Sequence, residues 1–384
     1  MGNDGEDHKS VFGNMKDHSR MMQGFLQKGD DCMRVRKRTW AWSLIIALLF
    51  ALLPQMQMST EAAQTTPLGV HGRLSVKGAD LTDAKGNKVQ LRGISTHGIN
   101  WDVGYPYVKK AAFQTLRDDW GANAVRLAMY TSDYNGYCSG GDKKVLRNRI
   151  YQGVRYATEL GMYVIIDWHI LNDGNPKQNQ AQAKSFFSIM SKKYKNQKNV
   201  IYEICNEPNG CDWKTIKSYA TSVIQTIRSN DKNAIIIVGT PTWSQLGSDG
   251  THHEVANDPI TGYKNLMYAL HFYANESSHN KYLPDKLAYA RKKKLPVIVS
   301  EFGLSKAGGN GGISTTSMEK WFTRLDKSNI SYFCWSLSNK KESCSLLSSK
   351  TKKTSGWKTT DLSGAGKFVR TKYRARKQAL GKKA

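Results

Sequence analysis

The stretch NVIYEICNE (199–207) is an apolar run that ends by delivering Asn206 and Glu207, with Pro208 directly behind them. Short, rich in aliphatic residues and apolar on both faces, it reads as a strand buried on both sides, as in a parallel sheet covered by helices. Seven further runs have the same character: VQLRGIS (89–95), NAVRLAMY (123–130), MYVIIDWHI (162–170), NAIIIVGT (233–240), LMYALHFY (266–273), LPVIVSEFG (295–303) and NISYFCWSL (329–337). Between them lie segments such as NRIYQGVRYATELG and SYATSVIQTIRSND, with apolar residues at helical spacing and Gly or Asn near the ends. Eight alternating units over about 260 residues predict an α/β (β/α)8 TIM barrel, with a doubly wound open sheet as the competitor. No GxGxxG follows a strand and no Walker pattern occurs, which removes the usual nucleotide-binding reasons for an open sheet. Upstream, RLSVKGADLTDAKGNKVQLRGIS (73–95) predicts a small hairpin with KGN (85–87) as its turn.

In such a barrel the chemistry gathers where the strands end, at the C-terminal face. The third run ends in Asp167-Trp168-His169, the fourth in Asn206-Glu207, the sixth in His271 and Tyr273, the seventh in Glu301 and the eighth in Trp335. Strands four and seven face each other across the mouth, so Glu207 and Glu301 form a pair suited to acid/base and nucleophilic work on one glycosidic bond. One Glu after a strand is more often a helix cap or a surface ion pair; two on facing strands specify a reaction.

With these residues in order, the sequence resembles glycoside hydrolase family 5, a clan A family, in its endo-β-1,4-glucanase (cellulase) branch. The resemblance covers roughly residues 67–345 and rests on STHGINW (95–101), VRLAMYTSDYNGYCSGGD (125–142), GMYVIIDWHIL (161–171), the Asn-Glu-Pro of VIYEICNEPNG (200–210), YALHFYA (268–274), VSEFG (299–303) and WSLSNKKE (335–342). It implies a retaining hydrolase of internal β-1,4-glucosidic bonds, with Glu207 as acid/base and Glu301 as nucleophile. Asn206 would hold the 2-hydroxyl of the reacting sugar, Arg126 and Tyr273 would serve the nucleophile, and His169 and His271 would orient hydroxyls and the acid. Trp335 would floor the site. His97 and Trp101 would serve the glycone side, with Tyr130, Lys340 and Glu342 touching hydroxyls there, and Trp243 would form a leaving-group platform. Aromatic faces suit the C–H surface of pyranose rings. Neither cofactor nor metal is implied, and a monomer is expected. β-Mannanase and xyloglucanase activities share this barrel and both glutamates, and a non-catalytic wall-binding protein is the alternative from another class. NWDVGYPYVKK (100–110) and SQLGSDGTHHEVAND (244–258) depart from the loops of this branch.

Residues 1–63 stand apart from the barrel. MRVRKR (33–38) precedes WSLIIALLFALL (42–53), and STEAAQ (59–64) follows, the parts of a secretory signal that predict a secreted protein. A membrane anchor through residues 42–58 is the competing reading. All but one unit of the net charge of +26 belongs to the rest of the chain, and residues 346–384 form a barrel-closing segment and cationic tail in which Asp361 is the single acid after residue 350. Such a tail is usually a solvated face; adhesion to acidic polysaccharide is its functional alternative, and no motif supports specific nucleic-acid binding. Once Cys32 leaves with the signal, five cysteines remain without CxxC spacing, so zinc is not expected and a Cys205–Cys211 bridge stays open. The sequons at Asn275 and Asn329 fall where a glycan would crowd the cleft or the core, so both are expected unused.

Overall fold

The computed structural model describes residues 65–377; residues 1–64, which hold the expected secretory signal and Cys32, and residues 378–384 lie outside the described residues. Eight strands form a closed, all-parallel barrel: β1 Arg92–Thr96, β2 Ala124–Tyr130, β3 Tyr163–His169, β4 Val200–Glu203, β5 Ile235–Val238, β6 Leu266–Tyr273, β7 Val297–Gly303 and β8 Tyr332–Leu337, which pairs back onto β1. The helices that cover it are α1 Lys110–Thr115, α2 Lys143–Glu159, α3 Gln180–Tyr194, α4 Trp213–Arg228, the single turn α5 Glu254–Asn257, α6 Ser277–Lys292, α7 Thr315–Lys327 and α8 Gly364–Lys377. Among the described residues no helix is long and apolar enough to cross a membrane. Side-chain caps set helix starts: Asp142 accepts from the Lys144 and Val145 amides before α2, and Asp212 from Thr215 before α4.

Strand alternation sorts the core into layers. On β2, Val125, Leu127 and Met129 join the large cluster between barrel and helices. Ala124 joins the small cluster inside the barrel floor, with Tyr163, Ile165, Ile201, Ile237, Met267 and Phe333, while Ala128 and Tyr130 join an aromatic cluster at the mouth. Arg126 falls between floor and mouth, where no water reaches it.

Two irregularities aim the mouth. On β7 the register shifts: Ala269 faces Ile298 but His271 faces Glu301, and Tyr332 faces Val299 but Cys334 faces Phe302. One extra residue is thus accommodated against both neighbours, a bulge that turns Ser300 and Glu301 inward together where strict alternation would send one of them out. On β8 the register shifts between Cys334 and Leu337, around the cis Trp335–Ser336 peptide.

Several expectations are corrected. The hairpin pairs Ser75–Lys77 with Asp80–Thr82 and turns at Gly78-Ala79; KGN makes a second turn, closed by the Thr82–Lys88 bridge, because Gly78 at φ 59° supplies the left-handed residue a two-residue loop needs. The fourth strand stops at Glu203 instead of running to Glu207. The Ile204 amide makes a last bond to Ile237 O, then Asn206 N turns to Trp168 O and Pro208 brings no donor. Gly239 lets this exit pass, since a Cβ there would meet Cys205 O at 2.2 Å. All five described cysteines are free, so no Cys205–Cys211 bridge forms.

The basic C-terminal segment folds onto the barrel. Along α8, Ala365, Val369 and Tyr373 are buried, and Gly366 lies so close to Leu346 O that a Cβ would meet it at 1.8 Å. Arg370 and Arg374 pair with Asp119, Lys372 with Glu319, and Arg376 with Asp326 on α7. Tyr373 Oη donates to Gly93 O of β1 at 2.9 Å.

Candidate active site

Arg126 is the centre from which the site is built. Its Nε donates to Glu203 Oε2 at 2.7 Å, one terminal nitrogen donates to Glu301 Oε2 at 2.9 Å, and the other donates to Asn206 Oδ1 at 2.6 Å and lies 3.0 Å from Asp167 Oδ2. Burial alone would discharge the guanidinium, but the charges of Asp167, Glu203 and Glu301 outweigh it and hold the group protonated far above the ordinary range. One cation cannot keep three buried carboxylates ionised. Burial pushes the Asp167 carboxyl well up; Arg126 opposes this, while the Glu203 and Glu301 charges add to it. Burial also raises Glu203, but Arg126 and His271 outweigh it and bring its carboxyl down to about 2.

Glu301 is held from both sides, since Tyr273 Oη donates to its Oε1 at 2.8 Å opposite the Arg126 contact. Glu207 stands in the loop after β4, with His271 Nδ1 2.9 Å from its Oε1. His271 Nε2 lies 2.9 Å from Ser300 Oγ and 3.8 Å from Glu203 Oε1, so Glu203 acts on the imidazole as a nearby charge and Ser300 as its hydrogen-bond partner. Burial disfavours a charged His271, but Glu203 and Glu207 outweigh it and lift its pKa to about 9. His169 is the opposite case: burial and the Arg126 charge press it down to about 3. Its Nδ1 sits 2.6 Å from Asp167 Oδ2, leaving Nε2 to face Asn206 Nδ2 at 3.3 Å. Asn206 is fixed further by donating to Ile170 O at 3.1 Å.

These groups open into a cleft of about 340 Å³ at the mouth, lined among others by His97, Trp101, Tyr130, Asp133, His169, Glu207, Tyr273, Glu301, Trp335, Lys340 and Glu342. Its aromatic wall is continuous: Tyr130 lies 4.1 Å from His169, His169 stacks on Trp335 at 5.2 Å, and Trp101 lies 4.6 Å from Tyr130 between ring centres. Trp101 is pinned by its Nε1 donating to Tyr134 O at 2.9 Å. At the far wall Glu342 pairs with Lys340 at 2.6 Å, lies 3.8 Å from His97 Nε2 and accepts from the Cys344 thiol at 3.2 Å. Burial lowers His97 to about 4 against the pull of Glu342.

Of the fourteen residues anticipated for the site, thirteen thus meet in one network or cleft. Trp243 does not line it: 43 % exposed, it sits on a turn where Thr242, Trp243 and Ser244 all have left-handed backbone, held beside the acid loop by its amide donating to Pro208 O. Sequence reasoning passed over Glu203, Ser300 and Cys344, and left Asp167 without a role. The available sign for Glu203 and Asp167 was a carboxylate inside an otherwise apolar strand, since acids are almost never fully buried unless paired. Among the described residues, Glu207, His271 and Glu301 form the one trio with metal-like spacing, donor atoms within 4.8 Å of one another, yet each is already engaged by protein groups and the trio reads as an acid/base set.

Comparison with known proteins agrees with the barrel fold. Residues 82–341 match the family model described as Cellulase (glycosyl hydrolase family 5). The chain is 44 % identical over 322 residues to Endoglucanase 5 of Pectobacterium carotovorum subsp. carotovorum, covering 83 % of this chain and 61 % of that protein. It is equally identical over 322 residues to Endoglucanase N of Pectobacterium atrosepticum, covering 69 % of it and 83 % of this chain. Among solved structures, the catalytic domain of Thermobifida fusca endoglucanase Cel5A in complex with cellotetraose superimposes with a TM-score of 0.74 at 35 % identity, covering 80 % of this chain and 99 % of that one. The chain therefore belongs to glycosyl hydrolase family 5, the cellulase family, and its barrel is the catalytic domain of that family.

Proposed function

We propose that this glycoside hydrolase is an endo-β-1,4-glucanase that cleaves internal bonds of cellulose and soluble β-glucans with retention of configuration. The observation that carries the reading is the approach of carboxylate oxygens of Glu207 and Glu301 to within 4.8 Å across the mouth. Retaining pairs stand about 5–5.5 Å apart, whereas inverting pairs need about 6.5–9.5 Å to admit water. Glu301, gripped by Arg126 and Tyr273, is aimed as the nucleophile and forms the glycosyl-enzyme. Glu207 protonates the departing oxygen and then takes a proton from the incoming water. Asn206 donates one amide hydrogen to Ile170 O and turns the other toward His169 Nε2 at 3.3 Å, the longer contact and the one the sugar 2-hydroxyl would take over. The cleft is open and aromatic along one wall, which suits internal attack on a chain more than release from its end.

Endoglucanase 5, Endoglucanase N and the cellotetraose-bound Cel5A support a β-1,4-glucan substrate. Anomeric configuration followed by NMR on cello-oligosaccharides tests the mechanism: first-formed β-product is expected, and α-product would overturn it. Reducing-sugar release from carboxymethylcellulose above that from glucomannan and xyloglucan tests the substrate. A Glu301→Ala variant as active as the parent would reinstate the wall-binding reading. We also read residues 1–63 as a leader for secretion and the protein as a monomer. Adhesion of the tail to acidic polysaccharide is the less favoured part of the proposal, because four of its basic side chains are paired with barrel helices.

A further inference from the structure

Glu203 plays no part in that mechanism, yet it is a carboxylate with no exposed surface on an apolar strand. Its Oε2 accepts from Arg126 Nε at 2.7 Å, while Oε1 is buried with no hydrogen-bond partner and faces His271 Nε2 at 3.8 Å. A buried carboxylate with an orphaned oxygen is costly, and an apolar side chain of that size would remove the cost unless the charge itself is used. The groups around it come from every neighbouring element: Arg126 from β2, Asp167 and His169 from β3, His271 from β6, Ser300 and Glu301 from β7, and Glu207 from the loop beyond β4. Of these, His169 is held neutral by burial and the adjacent guanidinium, so Arg126 and His271 are the two positions where positive charge can balance Glu203 and Glu301.

We propose that Glu203 is a positioning residue: its fixed negative charge keeps His271 doubly protonated, and its clamp on Arg126 Nε aims the rest of the guanidinium at Glu301 and Asn206. The consequence for Glu207 is specific. With both ring nitrogens of His271 carrying hydrogen, Nδ1 always donates to Glu207 Oε1, so the transferable proton resides on Oε2. The imidazole, already filled, cannot draw that proton off. Glu203 and His271 together present the acid with a donor but no net charge, so the donor does not strip the acid of its proton by electrostatics alone. Were Glu203 uncharged, His271 would be neutral at working pH and would compete for the proton that the leaving group needs.

The test begins on the intact wild-type chain, with 15N NMR of the histidine side chains across pH 5–10. Both nitrogens of His271 are expected to stay protonated well past the ordinary histidine value of about 6.5. In Glu203→Gln, which keeps the shape and the acceptor for Arg126 Nε, the His271 midpoint is expected about one pH unit or more lower. The alkaline limb of kcat/KM on an aryl cellobioside should move the same way. A wild-type His271 that titrates at or below about 6.5, or a Glu203→Gln protein whose midpoint and alkaline limb stay in place whatever its melting temperature, overturns the proposal. If Glu203→Gln does not fold, Glu203→Asp, which keeps the charge but withdraws it from the imidazole, takes its place: a lower His271 midpoint supports the proposal and an unmoved one overturns it. The inference rests on the glucanase reading for its rate arm alone: a protein inactive on every glucan but with His271 charged would refute that reading and leave this one standing.

Discussion

Gly98 lies between β1 and the aromatic wall, and replacing it by alanine is a direct probe of that wall. A Cβ built there would lie 2.5 Å from the Trp101 ring and 2.8 Å from the Tyr130 ring, about 1 Å inside ordinary carbon contact. Neither ring can yield cheaply. Trp101 is tethered through its Nε1 to Tyr134 O, and Tyr130 is backed by His169 at 4.1 Å, itself stacked on Trp335. Overpacking of this kind costs about 2 kcal/mol, which for a barrel of this size lowers the melting temperature by about 3 °C. The displaced platform weakens glycone binding by about 1–2 kcal/mol, so KM for cellotetraose rises roughly 5- to 30-fold while kcat changes less. Gly308, on the same cleft, is the control: a Cβ there meets nothing within 4 Å, so Gly308→Ala should melt at or slightly above the parent temperature. Steady-state kinetics on cellotetraose and differential scanning calorimetry read both effects. A Gly98→Ala protein within 2-fold in KM and about 1 °C in melting temperature would show that the wall is soft and the reasoning wrong.

Tyr373→Ala should destabilise by about 4–5 kcal/mol, combining loss of a fully buried aromatic with loss of its bond to Gly93 O, and leave kcat/KM unchanged below the melting range. Activity falling further than the folded fraction would contradict this. His271 makes stability pH-dependent: a pKa raised to about 9 contributes stability that is fully present below the unfolded value of about 6.5 and lost as pH rises through 9. The full effect is about 3 kcal/mol, so melting temperature should fall between pH 7 and pH 10 in the parent and less so in His271→Asn. A parallel fall in both would assign the loss elsewhere. Asn275 Nδ2 donates to Gly311 O and Asn329 Nδ2 to Val89 O, so both sequons should stay bare when the protein is made in a glycosylating host; an intact mass carrying glycan would refute this.

The barrel was legible because parallel strands buried on both faces leave continuous apolar runs, and all eight runs became strands, most of them trimmed at the ends while Leu266–Tyr273 fills its run completely. The residues closing those runs were legible for the same reason: a polar group at the end of an apolar strand has a place to go. What was hidden depended on register. Nothing in VIVSEFG announces a bulge, so the arrival of Ser300 and Glu301 on one face is visible only in the paired strands. Glu203 was hidden by Glu207, four residues on in the same run and better placed by motif. The left-handed turn that carries Trp243 was hidden because it depends on contacts with the loop after β4, which a local pattern does not carry.

The docking of α8 has a consequence for how the molecule comes into being. A chain made from its N-terminus adds one strand at a time to a sheet whose two edges, β1 and β8, cannot meet until β8 exists. The element that then ties the seam, through Tyr373 to Gly93 and Arg376 to Asp326, is α8, which is made after β8. Through most of synthesis the nascent protein is therefore an open sheet with unpaired parallel edges, the state most prone to pairing with another chain. A premature stop ahead of β8 would leave β1 and β7 as edges in search of a partner, and the fate of that chain would be decided by chaperones before any substrate met it.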